Sequence, residues 1–180
     1  MFNSIGPLIN PANPRGMVLG VSIRELGLPF ATSLRDGGVK KALVVCGGSG
    51  AEGLDEISCA GETYAWELKE DGSIEEKMLH PSVFGLGVHP LRDVAGGTPE
   101  ENSKTFKTLL TSGANIPEHL RPVLEFVLMN ASALLVVAGL AGDYKEGVEL
   151  ARKSVESGSA WEALQEFREE GERAVRRLSP

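Results

Sequence analysis

Lys41-Ala42-Leu43-Val44-Val45-Cys46 is the stretch that decides the fold. After the lysine it is apolar without alternation, as a strand covered on both of its faces must be. Upstream, Met17-Val18-Leu19-Gly20-Val21 has the same character over a shorter length. Between them, residues 24–35 read as a helix, with Leu26, Phe30 and Leu34 four apart on one face. That helix should stop at Asp36-Gly37-Gly38, because glycine accepts the left-handed conformation that ends helices. Strand, helix and strand in about thirty residues form a βαβ unit with a right-handed crossover.

Downstream the pattern changes twice. Glu62-Thr63-Tyr64-Ala65-Trp66-Glu67-Leu68 and Ser73-Ile74-Glu75-Glu76-Lys77-Met78-Leu79 flank Asp71-Gly72, whose residues both tolerate positive φ, and this predicts a β-hairpin. From Thr98 onward the signals are helical. Thr98-Pro99-Glu100-Glu101 combines a capping hydroxyl, a proline in the first turn and a glutamate three residues after the cap. Asp143-Tyr144-Lys145-Glu146 repeats the cap and the glutamate, Ser157-Gly158 supplies a stop, and residues 160–178 read as a charged surface helix with Trp161, Leu164 and Phe167 on one side. The expected fold is α/β: a βαβ unit plus a β-hairpin in a mixed sheet, covered by helices mostly from the C-terminal half, with residues 1–180 forming a single domain.

Composition narrows the function classes. The 180 residues hold 18 Lys+Arg against 25 Asp+Glu, a formal charge of −7, which disfavours a surface that grips a nucleic-acid backbone. Glycine is 22 of 180 residues, above the usual share of about 7%, as befits tight turns in a packed domain. Cys46 and Cys59 are too few for a disulfide framework and match no zinc spacing, which suits a reducing, cytoplasmic setting. The opening Met1-Phe2-Asn3-Ser4-Ile5-Gly6-Pro7 lacks the basic start and apolar run of a signal peptide. Residues 123–141 are the one candidate membrane span, but Glu125 and Asn130 interrupt it, so a buried core helix is the reading taken.

The chemistry concentrates after the second strand, in Cys46-Gly47-Gly48-Ser49-Gly50-Ala51-Glu52-Gly53-Leu54-Asp55-Glu56. Gly48, Gly50 and Gly53 fit the spacing of a dinucleotide fingerprint, and the run follows a strand as that motif requires. Against this, Glu52, Asp55 and Glu56 would set three negative charges against a pyrophosphate, and Gly53-Leu54-Asp55-Glu56 is a poor helix opening. The acids suit a hard cation better. Mg²⁺ takes oxygen donors and is commonly held by one or two carboxylates together with substrate phosphates. Asp55 and Glu56, at the carboxyl end of a strand, could serve that purpose, although an acidic pair on a loop is more often simply solvated.

Several blocks resemble one family. Phe2-Asn3-Ser4-Ile5-Gly6-Pro7-Leu8-Ile9-Asn10-Pro11, Val18-Leu19-Gly20-Val21, Ala42-Leu43-Val44-Val45 and Gly53-Leu54-Asp55-Glu56-Ile57-Ser58 resemble the C-terminal half of anthranilate phosphoribosyltransferase. Ala95-Gly96-Gly97, Leu128-Met129-Asn130-Ala131-Ser132-Ala133-Leu134 and Glu146-Gly147-Val148 look like that family too, in the same order, and the wording around Asp55 is most similar to fungal versions. The resemblance implies transfer of the phosphoribosyl group of phosphoribosyl diphosphate (PRPP) to anthranilate, with release of diphosphate, in tryptophan biosynthesis. It implies Mg²⁺ held at Asp55 and Glu56, and an anthranilate site bordered by Asn10 and Pro11, residues that read equally well as a rigid turn. It also implies a homodimer for the complete enzyme. The family's glycine-rich diphosphate cradle, its basic segment and its small helical domain would lie upstream of residue 1. The resemblance therefore implies a missing N-terminal half and a chain inactive alone.

The remaining polar residues suggest structure more than chemistry. His80, His89 and His119 have neither metal-ligand spacing nor a nucleophile nearby. Arg15 could reach a phosphate but reads as a surface residue, and Asn3 could pin a turn. Cys46 closes a buried strand with no basic cluster to make it a thiolate. Asn130, inside the most apolar helix, is expected to satisfy backbone groups across a packing interface. Trp66 and Trp161 lack the interleaved basic residues of a base-stacking surface.

Overall fold

A computed structural model describes residues 14–48 and 53–178. In chain order the elements are β1 (Gly16–Gly20), α1 (Gly27–Asp36), β2 (Lys41–Gly47), β3 (Thr63–Leu68), β4 (Ile74–Leu79), α2 (Pro99–Thr111), α3 (Arg121–Val137), α4 (Tyr144–Glu156) and α5 (Ser159–Leu178). Short 3-10 turns occupy Arg24–Leu26, Pro81–Phe84, Leu91–Asp93 and Glu118–Leu120. The sheet runs β1-β2-β3-β4. β1 and β2 pair in parallel, Gly16 opposite Lys41 and Gly20 opposite Val45, and the pairings of β2 with β3 and β3 with β4 are antiparallel. The mixed sheet, its βαβ unit and its hairpin thus stand as expected.

The apolar run of β2 is explained by what lies on each side of it. Ala42, Val44 and Cys46 face a core shared with Leu19, Trp66 and Leu68 of the sheet and with Ala31 and Leu34 of α1. Leu43 and Val45 face the opposite core, built from Leu128, Met129 and Ala133 of α3 and from Val148, Ala151 and Val155 of α4. Burying each large member, such as Leu43 or Val45, contributes about 1.5–3 kcal/mol, so the centre of the sheet is its most firmly held part. Helices of the C-terminal half cover one face, as expected, and α1 covers the other.

The two sheet edges differ. β4 carries Glu75, Glu76 and Lys77, charges that discourage pairing with a foreign strand. β1 is Gly-Met-Val-Leu-Gly, without a charge, and no strand among the described residues pairs with its outer edge.

Helix α3 and its lead-in turn, residues 118–137, are long and apolar enough to cross a membrane by length and composition. The helix packs against β1, β2 and α4 and carries a polar cluster at its start. His89 Nε2 donates to Glu125 Oε2 (2.7 Å) and Arg121 Nε donates to Glu125 Oε1 (3.1 Å). Sequence reasoning saw only an interruption in Glu125 and no partner for His89, because the two are joined by tertiary packing across 36 positions. Burial pushes the Glu125 carboxyl up, but the His89 and Arg121 hydrogen bonds and the His89 charge outweigh it and hold the acid below its usual value of 4.5. The depressed folded value means that the stabilisation is present above the ordinary glutamate pKa and is lost as pH falls through the folded one. Glu125→Gln should therefore cost about 1.5–3 kcal/mol at neutral pH and flatten the acidic fall of stability below about pH 4.5, read from urea melts across pH. A variant with an unchanged acid profile would count against this account.

Candidate functional site

Because β1 and β2 are parallel, they end side by side, at Gly20 and Gly47. The chain returns across those ends. Gly53 N–H donates to the Ser22 carbonyl (2.9 Å), and Leu54 and Gly47 exchange two backbone hydrogen bonds of 2.7 Å each. Asp55 and Glu56 are thereby laid over the strand termini, where open α/β sheets place their ligands.

Glycine is required beneath them by close approach. A Cβ at Gly20 would overlap the Asp55 carbonyl, and one at Gly47 would overlap the Glu56 carbonyl oxygen and crowd Ser58. The chain then dives inward. Ile57, Ser58 and Cys59 are buried, with Ser58 N–H donating to Thr63 Oγ1 (2.9 Å) and Ala60 N–H to Ser58 Oγ (3.1 Å). Asn130 reaches across from α3: its Oδ1 accepts the Ile57 N–H (2.9 Å), and its Nδ2 donates to the carbonyls of Ile57 (3.2 Å) and Phe126 (3.0 Å). The expected function of Asn130, satisfying backbone groups across a packing interface, is what the structure shows.

Asp55 and Glu56 are exposed, and their carboxylates make no hydrogen bond or ion pair with the described residues. Partial desolvation raises the Glu56 carboxyl above the ordinary range, and the neighbouring charge of Asp55 adds to the effect. Two adjacent, unpaired hard-oxygen donors that repel each other are suited to a dication. They are only part of a coordination set: among the described residues no group of three or more His, Cys, Asp and Glu side chains could hold a metal. Such a pair fits Mg²⁺ completed by waters and substrate oxygens rather than an all-protein cage.

The dinucleotide alternative fares worse. Gly48 has φ +86° and Gly53 is hydrogen-bonded to Ser22, but the chain after Gly53 bridges back to Gly47 and opens no helix whose amides could receive a pyrophosphate. Ser49, Gly50, Ala51 and Glu52 lie outside the described residues, as do Asn3, Asn10 and Pro11. Arg15 precedes β1, at the end of the strand away from Asp55, so the structure does not bring it to the acidic pair. His80 caps the turn Pro81–Phe84 by accepting the Ser82 N–H, and Trp66 is buried with Nε1 donating to Glu76. Cys46 is buried, and that burial together with the Glu25 charge pushes its thiol up despite Arg24, as an unreactive core cysteine requires. Ala95-Gly96-Gly97 is fastened to α2 by Asn102, whose Oδ1 accepts the Gly97 N–H (2.8 Å).

Comparison with known proteins bears on this geometry. Residues 1–161 match the family described as "Glycosyl transferase family, a/b domain". Over 167 residues the chain is 44% identical to an anthranilate phosphoribosyltransferase of Schizosaccharomyces pombe, covering 93% of this chain and 45% of that protein. It is similar to the Saccharomyces cerevisiae enzyme solved with PRPP and Mg (TM-score 0.79, 31% identity, 92% of this chain and 45% of that one). The same yeast protein in complex with 4-fluoroanthranilate gives a TM-score of 0.81 at 30% identity, over 92% and 46% of the two chains. The chain thus spans somewhat less than half the length of these relatives.

Proposed function

Because the chain belongs to the glycosyl transferase family through its a/b domain, we propose that it supplies the C-terminal α/β half of an anthranilate phosphoribosyltransferase, residues 1–180 acting as one unit. The observation that carries this reading is the pair Asp55 and Glu56, presented over the ends of two parallel strands without partners among the described residues. The reaction breaks the bond between the anomeric carbon of PRPP and its diphosphate and forms one to the amino nitrogen of anthranilate, which gives up a proton. Positive charge grows on the sugar and negative charge on the leaving diphosphate. Bound Mg²⁺ would neutralise part of that negative charge. The residues of this chain contribute orientation: Gly20 and Gly47 let the acidic segment lie low over the strand ends, and Asp55 and Glu56 offer oxygens on the side from which a metal-bound diphosphate would approach.

Asn10 and Pro11 are proposed to border the anthranilate site. The glycine-rich diphosphate cradle is supplied, on this reading, by the N-terminal half of the family's length, so residues 1–180 alone do not turn over. The complete enzyme is a cytoplasmic homodimer with no nucleic-acid or membrane partner.

The test follows loss of anthranilate fluorescence with PRPP and Mg²⁺, using this chain alone and then with the N-terminal half. Activity only in the mixture, removed by EDTA and lowered roughly a thousandfold by Asp55→Asn/Glu56→Gln, is the expected result. Full activity of that double variant would remove the metal assignment. Activity of the chain alone would show that a phosphate cradle is present in it. A folded, inactive mixture would favour a non-catalytic remnant.

A further inference from the structure

The acidic pair is exposed, yet metal ligands have to be held still, and the described residues around Asp55 and Glu56 show how. Before them, the two hydrogen bonds between Leu54 and Gly47 tie the chain to the end of β2. Beneath them lie Gly20 and Gly47. After them the next residue, Ile57, is held on both its backbone groups by a single side chain, Asn130.

Asparagine is a poor choice for the middle of an apolar helix, because its amide competes with backbone hydrogen bonds. Here that amide is fully used. One oxygen accepts the Ile57 N–H, and the two N–H groups go to Ile57 O and Phe126 O, so both donors of the side chain are spent. The Phe126 bond fixes the rotamer against its own helix, and the two Ile57 bonds reproduce the pairing that a neighbouring strand would make with that residue. A helix 73 positions downstream therefore sets where the peptide following Glu56 lies.

We propose that Asn130 is a positioning residue for the metal pair: by clamping the main chain of Ile57 it fixes the direction in which the Asp55 and Glu56 carboxylates are presented. This rests on the reading of Asp55 and Glu56 as metal ligands. Asn130 touches neither metal nor substrate. Its effect is on the fraction of time that both carboxylates are aimed at one point, which governs how tightly a metal–diphosphate complex is held.

The test is Mn²⁺ binding by electron paramagnetic resonance in the presence of PRPP, on the complete enzyme, a readout that does not need turnover. Asn130→Ala should raise the Mn²⁺ concentration at half-saturation at least tenfold and raise KM for PRPP more than it lowers kcat. Ser132→Ala is the control: Ser132 sits two residues away on the same helix, is fully buried, and loses a bond of similar kind (Oγ to Tyr144 O, 2.7 Å), but it faces α4. It should shift the midpoint less than twofold. Asn130→Leu, which keeps the side-chain volume without polar atoms, replaces the alanine variant if that one does not fold, and amide hydrogen exchange at Ile57 should quicken in either. Equal shifts in the Asn130 and Ser132 variants would overturn the proposal in favour of a plain packing residue. An unshifted midpoint in Asn130→Ala, with binding abolished by Asp55→Asn/Glu56→Gln, would overturn it while leaving the metal reading intact. Absence of PRPP-dependent Mn²⁺ binding in the unaltered enzyme, or binding that survives the double acidic variant, would overturn both.

Discussion

Replacing Gly20 by alanine should lower the phosphoribosyl transfer proposed for the mixture with the N-terminal half by roughly a hundredfold, the cost of misplacing reacting groups by about an ångström. The added methyl group would occupy the space through which the Asp55 backbone passes, and three atoms of that backbone lie too near for a side-chain adjustment to relieve the overlap. Either the end of β1 sinks or the Asp55-Glu56 segment rises. Val21 N–H is hydrogen-bonded to Val45 O (2.9 Å) just beyond Gly20, so the strand is pinned and the displacement falls on Asp55 and Glu56, between the bonds that hold Leu54 and Ile57. The fold should survive, at a cost of about 1–3 kcal/mol for overpacking. Gly20→Ala should therefore give a clean melt at lower temperature together with a weakened Mg²⁺ response in the fluorescence assay. Activity within threefold of the unaltered enzyme would show that the segment tolerates displacement, and the close approach would lose its functional meaning.

Residues 1–180 in isolation should associate in a concentration-dependent way. A groove of about 560 Å³ between α3 and α4 is lined by Val127, Leu134, Leu140 and Leu150, among others, with Ser154 its one polar residue. Leu134 and Leu140 are 52% and 67% exposed, respectively. A continuous apolar surface of this kind marks an association site, and the uncharged outer edge of β1 adds to the hazard. Light scattering at rising concentration should report species larger than a monomer, and Leu134→Glu/Leu140→Glu should shift the distribution toward the monomer. A monodisperse 19.1 kDa particle with a cooperative melt would contradict this expectation.

Much of the fold was legible because local signals agreed with one another. The run in β2 needed only its lack of alternation, and Thr98-Pro99-Glu100-Glu101 forms the expected capping box, with Thr98 N–H donating to Glu101 Oε2 (2.8 Å) and Glu101 N–H to Thr98 Oγ1 (3.3 Å). Departures came where a second residue altered the local rule. The helix expected from residue 24 begins as a 3-10 turn and becomes α-helical only at Gly27. Pro29 has no N–H for the Glu25 carbonyl and its ring crowds that carbonyl, which disfavours an α turn there. At the start of α4, Asp143 caps as expected but Glu146 takes the N–H of Gly142 (2.6 Å), one residue before the cap. On the charged surface helix α5, Trp161 and Leu164 are half-buried, while Phe167, read on the same side, is 78% exposed.

The site divides in the same way. Asp55 and Glu56 were visible as an acidic pair after a strand, but the reason for glycine at positions 20 and 47 was not. That reason depends on how near two strand ends come to a returning loop, and no local pattern records it. Asn130 could be read as a polar residue serving backbone groups, while its partner could not, since nothing in α3 points to Ile57. The pairing of His89 with Glu125 was invisible for the same cause.

The bond between Ile57 and Asn130 also sets an order of events in time. During synthesis at about 5–20 residues per second, 73 residues correspond to roughly 4–15 s. For that interval the acidic loop has left the peptidyl-transferase centre while the side chain that clamps it has yet to be made. The strands beneath can pair early, since β1, β2 and the hairpin close over short stretches of chain, but the presentation of the two carboxylates waits on a contact of high sequence separation. Cellular Mg²⁺ therefore meets a nascent chain whose acidic loop, the proposed metal site, is still loosely arranged, and ordering of that loop coincides with the docking of α3.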